Sequence, residues 1–185
     1  LVRLEPGQIV EQGVCRTFQN IRLFQGLTVL ENVMIGGQLH ERTGLADILL
    51  RTRRFREQER ALIDRAAEIL DYTGILADAN ELARNLPYGK QRRLEIARAL
   101  ATRPRLLLLD EPTAGMNPTE SEQMTQLFQR LCTERNVCVL MIEHDMKVVM
   151  GVSQRILVLN FGRQIACGTP KEILQNEEVV TAYLG

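Results

Sequence analysis

A layered α/β fold, with a parallel or mixed sheet interrupted by a helical segment, is the class this 185-residue chain predicts. Three observations carry it. Leu106–Leu109 and Val137–Ile142 are continuously apolar, and short unbroken apolar runs mark strands buried on both faces of a parallel sheet. From Gln91 onward such runs alternate with helical spacing, the pattern of strand–helix–strand units. Between about 27 and 86, apolar residues recur at helical spacing without a strong strand. The expected organisation is a sheet core over 1–26 and 87–185 with a helical subdomain at about 27–86.

Each element has a local reason. Residues 1–26 are mixed, with Pro6-Gly7 and Gly13 as turn signals. Thr28-Val29-Leu30-Glu31 has capping-box spacing and predicts a helix through about Leu39. Residues 40–56 read as a loop rich in Arg and Gly. Ala61, Leu62, Ala66, Ile69 and Leu70 then recur at helical spacing between Glu57 and Tyr72, and Gly74 follows as a stop. The stretch 75–86 is short and partly helical. A helix over Gln91–Thr102 ends before Pro104, and the Leu106–Leu109 strand follows. Asn117-Pro118-Thr119-Glu120 supplies an N-cap, a proline at the first helical position and a glutamate at the third, so the next helix runs to about Glu134. After the Val137–Ile142 strand come a helix over about Met146–Gly151, strands at Arg155–Asn160 and Gln164–Cys167, and a last helix capped by Thr169-Pro170-Lys171-Glu172.

Composition narrows the function classes. Apolar residues make up 45% and charged residues 25%, ordinary for a globular domain. Lys plus Arg equals Asp plus Glu at 23 each, so no overall basic field points to nucleic acid. The basic run Arg51-Thr52-Arg53-Arg54-Phe55-Arg56 reads as a solvated loop or helix start. Cys15, Cys132, Cys138 and Cys167 form no C-x-x-C pair and are expected as reduced, mostly buried thiols. No stretch reaches the roughly 18 apolar residues of a membrane span, so membrane association is expected to come through a partner. Met141, Met146 and Met150 read as packing residues, and His40 as a loop residue.

The chemistry concentrates at Leu106-Leu107-Leu108-Leu109-Asp110-Glu111-Pro112. Open α/β sheets bind ligands beyond the carboxyl ends of their strands, where Asp110 and Glu111 stand. One carboxylate there can hold a magnesium ion and the other can orient or deprotonate a water; an acidic turn without chemistry fits the same residues. Three more features share the order. Gln19 lies in Thr17-Phe18-Gln19-Asn20. Leu86-Pro87-Tyr88-Gly89-Lys90 opens the helix carrying Arg92, Arg93, Glu95 and Arg98. His144 follows the Val137–Ile142 strand.

In the order and spacing of these elements, from about Gly7 to Gly185, the chain resembles the ATP-binding subunits of ABC transporters. The resemblance implies a P-loop NTPase (RecA-like) sheet core with an inserted ABC-type helical subdomain. It implies ATP and Mg²⁺ as cofactors, with Asp110 and Gln19 toward the metal. Glu111 would polarise the attacking water, His144 would contact the γ-phosphate, and Gln19 would sense metal and water. Leu86, Pro87, Tyr88, Gly89 and Lys90 match the family signature, which serves the ATP of an opposite subunit, and Asn117 lies in the loop at that dimer interface. Implied partners are a second ATP-binding subunit, two membrane permease subunits and, indirectly, an extracytoplasmic substrate-binding protein, at the cytoplasmic face of a membrane and without nucleic acid.

Departures refine the expectation. No G-x-x-x-x-G-K-[ST] phosphate loop occurs in the chain, which reads as the later part of a domain whose N-terminal part is missing, and the chain alone is expected to be inactive. Pro87 and Tyr88 stand where the common signature has Ser and Gly, Lys90 where it often has Gln, and Asn117 where many relatives carry Asp. These variations, with Arg16–Phe24, Ile142–Met146 and the ending Ala182-Tyr183-Leu184-Gly185, resemble the branch serving branched-chain amino acid uptake. A lipid or lipopolysaccharide exporter ATPase and a non-catalytic docking fragment are the alternatives.

Overall fold

The computed structural model describes residues 3–40 and 51–184. Most of the expected 40–56 loop therefore lies outside the described residues. Pro6 opens helix α1 (Pro6–Glu11), which leads into strand β1 (Val14–Arg16). Thr28 caps helix α2 (Val29–Gly37), and the capping box with Glu31 forms in both directions. Helix α3 (Arg53–Tyr72) begins four residues before Glu57, because the Thr52 side chain accepts from the Phe55 N–H as its N-cap. The basic run is thus the first turn of a helix, with Arg53 paired to Glu57 at 2.8 Å.

Short 3₁₀ turns at Leu76–Asp78 and Ala83–Asn85 join α3 to helix α4 (Tyr88–Ala101). Strand β2 (Leu106–Asp110), helix α5 (Pro118–Glu134), strand β3 (Cys138–Ile142) and helix α6 (Met146–Val152) follow. Strands β4 (Ile156–Asn160) and β5 (Arg163–Gly168) come next, then the short helices α7 (Pro170–Leu174) and α8 (Glu177–Val179).

The three strands β1-β2-β3 form a parallel sheet in that order. Its register starts at Gly13, in the left-handed region at φ 81°, whose carbonyl accepts from the Arg105 and Leu106 N–H groups. Among the described residues, strands β4 and β5 do not extend this sheet. They form a separate antiparallel hairpin, turned at Phe161 (φ 46°) and Gly162 (φ 77°), two consecutive left-handed residues that match a tight hairpin's twist.

The expectation of strands buried on both faces needs correction. Leu107 and Leu109 of β2 are buried against Met124, Leu127, Phe128 and Leu131 of α5 and against Ile96 and Ala99 of α4. The other face, with Leu106 and Leu108, meets Cys138, Leu140 and Ile142 across the register, and Leu140 and Ile142 are 61% and 66% exposed. Helices cover one side of this sheet among the described residues.

A second core joins α2, α3 and α4 through Val29, Val33, Ala66, Leu70, Leu94 and Ala97. Helix α4 belongs to both cores, with Leu94 and Ala97 in one and Ile96 and Ala99 in the other. The expectation of mostly buried thiols is also corrected: Cys138 and Cys167 are exposed, Cys15 and Cys132 half-buried. Cys138 opens β3 on its uncovered face, and Cys167 lies on the outer hairpin. Met141 and Met150 do pack against cores, as expected.

Candidate active site at the strand ends

The parallel sheet sends its carboxyl ends to one side, and the candidate residues collect there. Asp110 is the last residue of β2, opposite Ile142 of β3. It lies on the uncovered face with Arg16, whose Nη2 donates to Asp110 Oδ2 at 3.2 Å. That carboxylate is partly exposed, and the pair is a modest tether rather than a source of stability.

Glu111 ends the strand by a change of hand. Its φ is 43°, and its N–H donates to the Ile142 carbonyl at 2.9 Å. A non-glycine residue in this region costs on the order of 1–3 kcal/mol, and such strain collects at functional sites. The Glu111 carboxylate is met from two loops. Gln19 Nε2 donates to Oε2 at 3.2 Å. His144 Nδ1 stands 3.7 Å from Oε1, beyond hydrogen-bond length, with the imidazole largely exposed. Gln19, Glu111 and His144 thus converge from β1, β2 and β3 on one point beyond the sheet.

Glu143 organises the β3 end, a role the sequence reading missed. Its side chain is 1% exposed, yet its carboxylate accepts from the N–H groups of Thr113, His144 and Asp145 at 3.0, 2.9 and 3.3 Å and from the Thr113 hydroxyl. Three backbone donors and a hydroxyl satisfy a buried carboxylate and tie the loop after Glu111 to the loop carrying His144. The signal was present: an acidic residue directly after an apolar strand, beside a candidate histidine. Asp145 then caps α6 through the Lys147 N–H.

On helical spacing Arg92 can pair with Glu95 or face solvent; it takes the first course and is 1% exposed. Its Nη1 donates to the Phe18 carbonyl and to Glu95 Oε2, and its Nη2 to the Gln19 carbonyl. Arg93 reaches Gln123 and the Thr73 carbonyl instead.

Residues 86–90 form a second cluster. Leu86 is buried and Pro87 precedes the first turn of α4. A Cβ at Gly89 would stand 2.6 Å from Glu120 Oε1, and one at Gly115 would meet the Tyr88 ring at 3.4 Å. The signature stretch therefore lies directly against the Asn117 loop. Asn117 and Glu120 cap α5 reciprocally. The Lys90 ammonium engages Asp78 at 2.8 and 2.9 Å, so it is not a free cation.

Among the described residues no group of three or more His, Cys, Asp or Glu side chains is placed to hold a metal ion. Mg²⁺ nonetheless needs only one or two protein oxygens beside waters and phosphate. The partly exposed Asp110 carboxylate at a strand end, touched by Arg16, and the Gln19 amide, which meets the adjacent Glu111, are oxygen donors of the kind it takes.

The protein-family model for the ABC transporter matches residues 3–114. The chain belongs to the ABC transporter ATP-binding family. A second model, for the branched-chain amino acid ATP-binding cassette transporter, matches residues 163–185. The chain is 50% identical over 181 residues to LivG of Salmonella typhimurium, a high-affinity branched-chain amino acid transport ATP-binding protein, covering 97% of this chain and 71% of that one. To LptB of Haemophilus influenzae, a lipopolysaccharide export system ATP-binding protein, it is 30% identical, covering all of this chain and 77% of LptB. Its fold superposes on the ADP conformation of MJ1267, an ATP-binding cassette of an ABC transporter, with a TM-score of 0.76 at 27% identity, covering 98% of this chain and 72% of that one. These likenesses agree with the P-loop NTPase type of fold that the family resemblance implies.

Proposed function

We propose that this chain is part of an ATP-binding subunit of an importer for branched-chain or similar amino acids. The observation that carries the reading is the convergence of Gln19, Glu111 and His144 beyond parallel strands, in a chain 50% identical to LivG. The 30% identity to LptB makes lipid or lipopolysaccharide export the more distant reading.

In this reading Glu111 accepts a hydrogen bond from the attacking water, and Gln19, already donating to Glu111, orients both. His144, on its exposed loop, donates toward the γ-phosphate side. Asp110, with the Gln19 amide oxygen, would hold Mg²⁺, which when bound neutralises developing phosphate charge. The first turn of α4 offers free N–H groups and a positive dipole end to phosphate. The 86–90 cluster lies against the Asn117 loop; as the family resemblance implies, it serves the nucleotide of a second subunit, and hydrolysis needs a dimer. The helical region of about 27–86 is the permease-docking region, in an assembly with two membrane permease subunits at the cytoplasmic face of a membrane and an extracytoplasmic substrate-binding protein on the other side. No described helix is long and apolar enough to cross a membrane itself.

The 185 residues hold no phosphate-loop motif, and that loop's backbone cradle and lysine supply most of the grip on phosphate. This stretch alone is therefore expected to turn over no ATP. The decisive test is calorimetry and turnover on a full-length subunit. Glu111→Gln should keep MgATP affinity within about threefold and lower kcat by on the order of a hundredfold or more. Normal turnover in that variant would remove Glu111 from its role.

A further inference from the structure

The geometry points to Arg92 as a positioning residue. Braced by Glu95, it holds the backbone at Phe18 and Gln19 so that the Gln19 side chain stands against Glu111, and it ties that loop to the helix carrying residues 86–90. Its catalytic consequence rests on the proposed ATPase reading; its geometry does not.

The contacts are specific to a planar fork. Arg92 Nη1 and Nη2 donate to two consecutive carbonyls, those of Phe18 and Gln19, each at 2.7 Å. A lysine, a compact point charge, cannot span both with fixed geometry. Glu95, one turn along the same helix, accepts from Nη1 at 2.9 Å. The two side chains are 1% and 3% exposed.

Such a pair is a poor stabiliser. Arg92 Nε and Glu95 Oε1 are buried and have no hydrogen-bond partner among the described residues. A buried ion pair with unsatisfied atoms is often no better than an apolar pair of the same volume. An apolar pair, however, could not grip two carbonyls.

The loop needs that grip. Between Thr17, whose N–H still pairs with Leu108, and α2, the chain has no regular structure. The far end is held by Asn32, which exchanges hydrogen bonds with the Phe24 backbone. In between, α4 supplies the anchors: Arg92 at Phe18 and Gln19, and Arg98 at the Arg22 carbonyl. The Gln19 side chain is exposed, so without a fixed backbone it would sample many rotamers. Arg92 also lies in the turn directly after Lys90. Any rigid displacement of α4 caused by a ligand at residues 86–90 is carried to the backbone of Gln19.

The test uses the full-length subunit in its assembled transporter, with R92K, E95Q, Q19A and the R92K/Q19A double variant. R92K should lower kcat by on the order of ten- to a hundredfold while changing the KM for ATP by less than about threefold. E95Q should lower kcat in the same direction by less. On the Q19A background R92K should cost nothing further, because both act through one group. Hydrogen exchange should speed up at the amides of residues 18–22 in R92K while those of β2 and α5 keep their protection. Additive losses in the double variant, or a normal kcat in R92K, overturn the proposal. If the wild-type subunit itself hydrolyses no ATP, the ATPase reading fails separately and the exchange measurement decides, unchanged protection at 18–22 overturning the positioning role.

Discussion

Glu111 shows how one residue can be both strained and held. Its left-handed backbone is held by its N–H donating to Ile142 of β3 and its carbonyl accepting from the Ala114 N–H, while its carboxylate faces Gln19 and His144. The neighbouring Glu143 explains how the structure holds such a turn. Glu143→Ala would leave three backbone N–H donors without their acceptor, and it should destabilise the fold by about 2–4 kcal/mol. Chemical denaturation would read that change directly. Cys15 offers a second test at this scale. Burial, more than any neighbour, raises its thiol above the ordinary value, although Thr102 and Arg98 pull the other way. A raised thiol stays protonated as pH climbs through the usual cysteine range, and the thiolate is the nucleophile. Alkylation near pH 8 should therefore mark the exposed Cys138 and Cys167 first and Cys15 last, by peptide mass spectrometry.

Among the elements, α4 decides how the two cores meet. Its approach to α2 depends on Gly36, where an added Cβ would lie 2.3 Å from the Arg98 carbonyl. Gly36→Ala should force the helices apart and cost about 1–3 kcal/mol. The same shift moves Arg98, so it should also disturb the loop at Arg22. The α2 cap is separable from this. Thr28→Ala removes the acceptor of the Glu31 N–H and should cost about 1 kcal/mol. Thr28 in turn holds the Glu31 carboxyl below the usual carboxylate range through its backbone N–H and then its hydroxyl. A carboxyl lowered on folding stabilises above its unfolded pKa. That contribution is lost as pH falls through the folded value, so the effect of Thr28→Ala on Tm should shrink under acid. A second tie crosses between α3 and α5, where the Arg130 and Arg135 guanidinium groups lie over the Tyr72 ring at 4.3 and 4.7 Å.

At the scale of the whole molecule, the layer on one side of the sheet dominates behaviour. Helices α4 and α5 cover Leu107 and Leu109, while Leu140 and Ile142 stay open on the other face. The hairpin adds Leu157, Leu159 and a Phe161 that is 99% exposed. Open apolar surface of this kind favours association. The 185-residue chain should self-associate with rising concentration in light scattering, and Leu140→Lys with Ile142→Lys should hold it monomeric. Unchanged association would place the sticky surface elsewhere.

Much was legible in local chemistry. The caps at Thr28, Asn117 and Thr169, the apolar runs of β2 and β3, and the Asp110-Glu111 pair at the β2 end follow from short-range pattern, because a capping box or a strand end needs only its own few residues, whereas Gln19 and His144 were singled out by the family resemblance. The family resemblance was legible because the order of its motifs survives in one dimension. Other features exist only through distant contacts. Three-residue β1 has no pattern of its own and is a strand because β2 binds it in register. Strand β4 reads like a sheet strand but among the described residues pairs with its neighbour β5 alone, since hydrogen-bond partners are chosen in space. The coverage of one sheet face, the burial of Glu143 and the grip of Arg92 on carbonyls more than seventy residues away are decided likewise. Periodicity states which faces are apolar; packing alone states what covers them and which charges are carried inside.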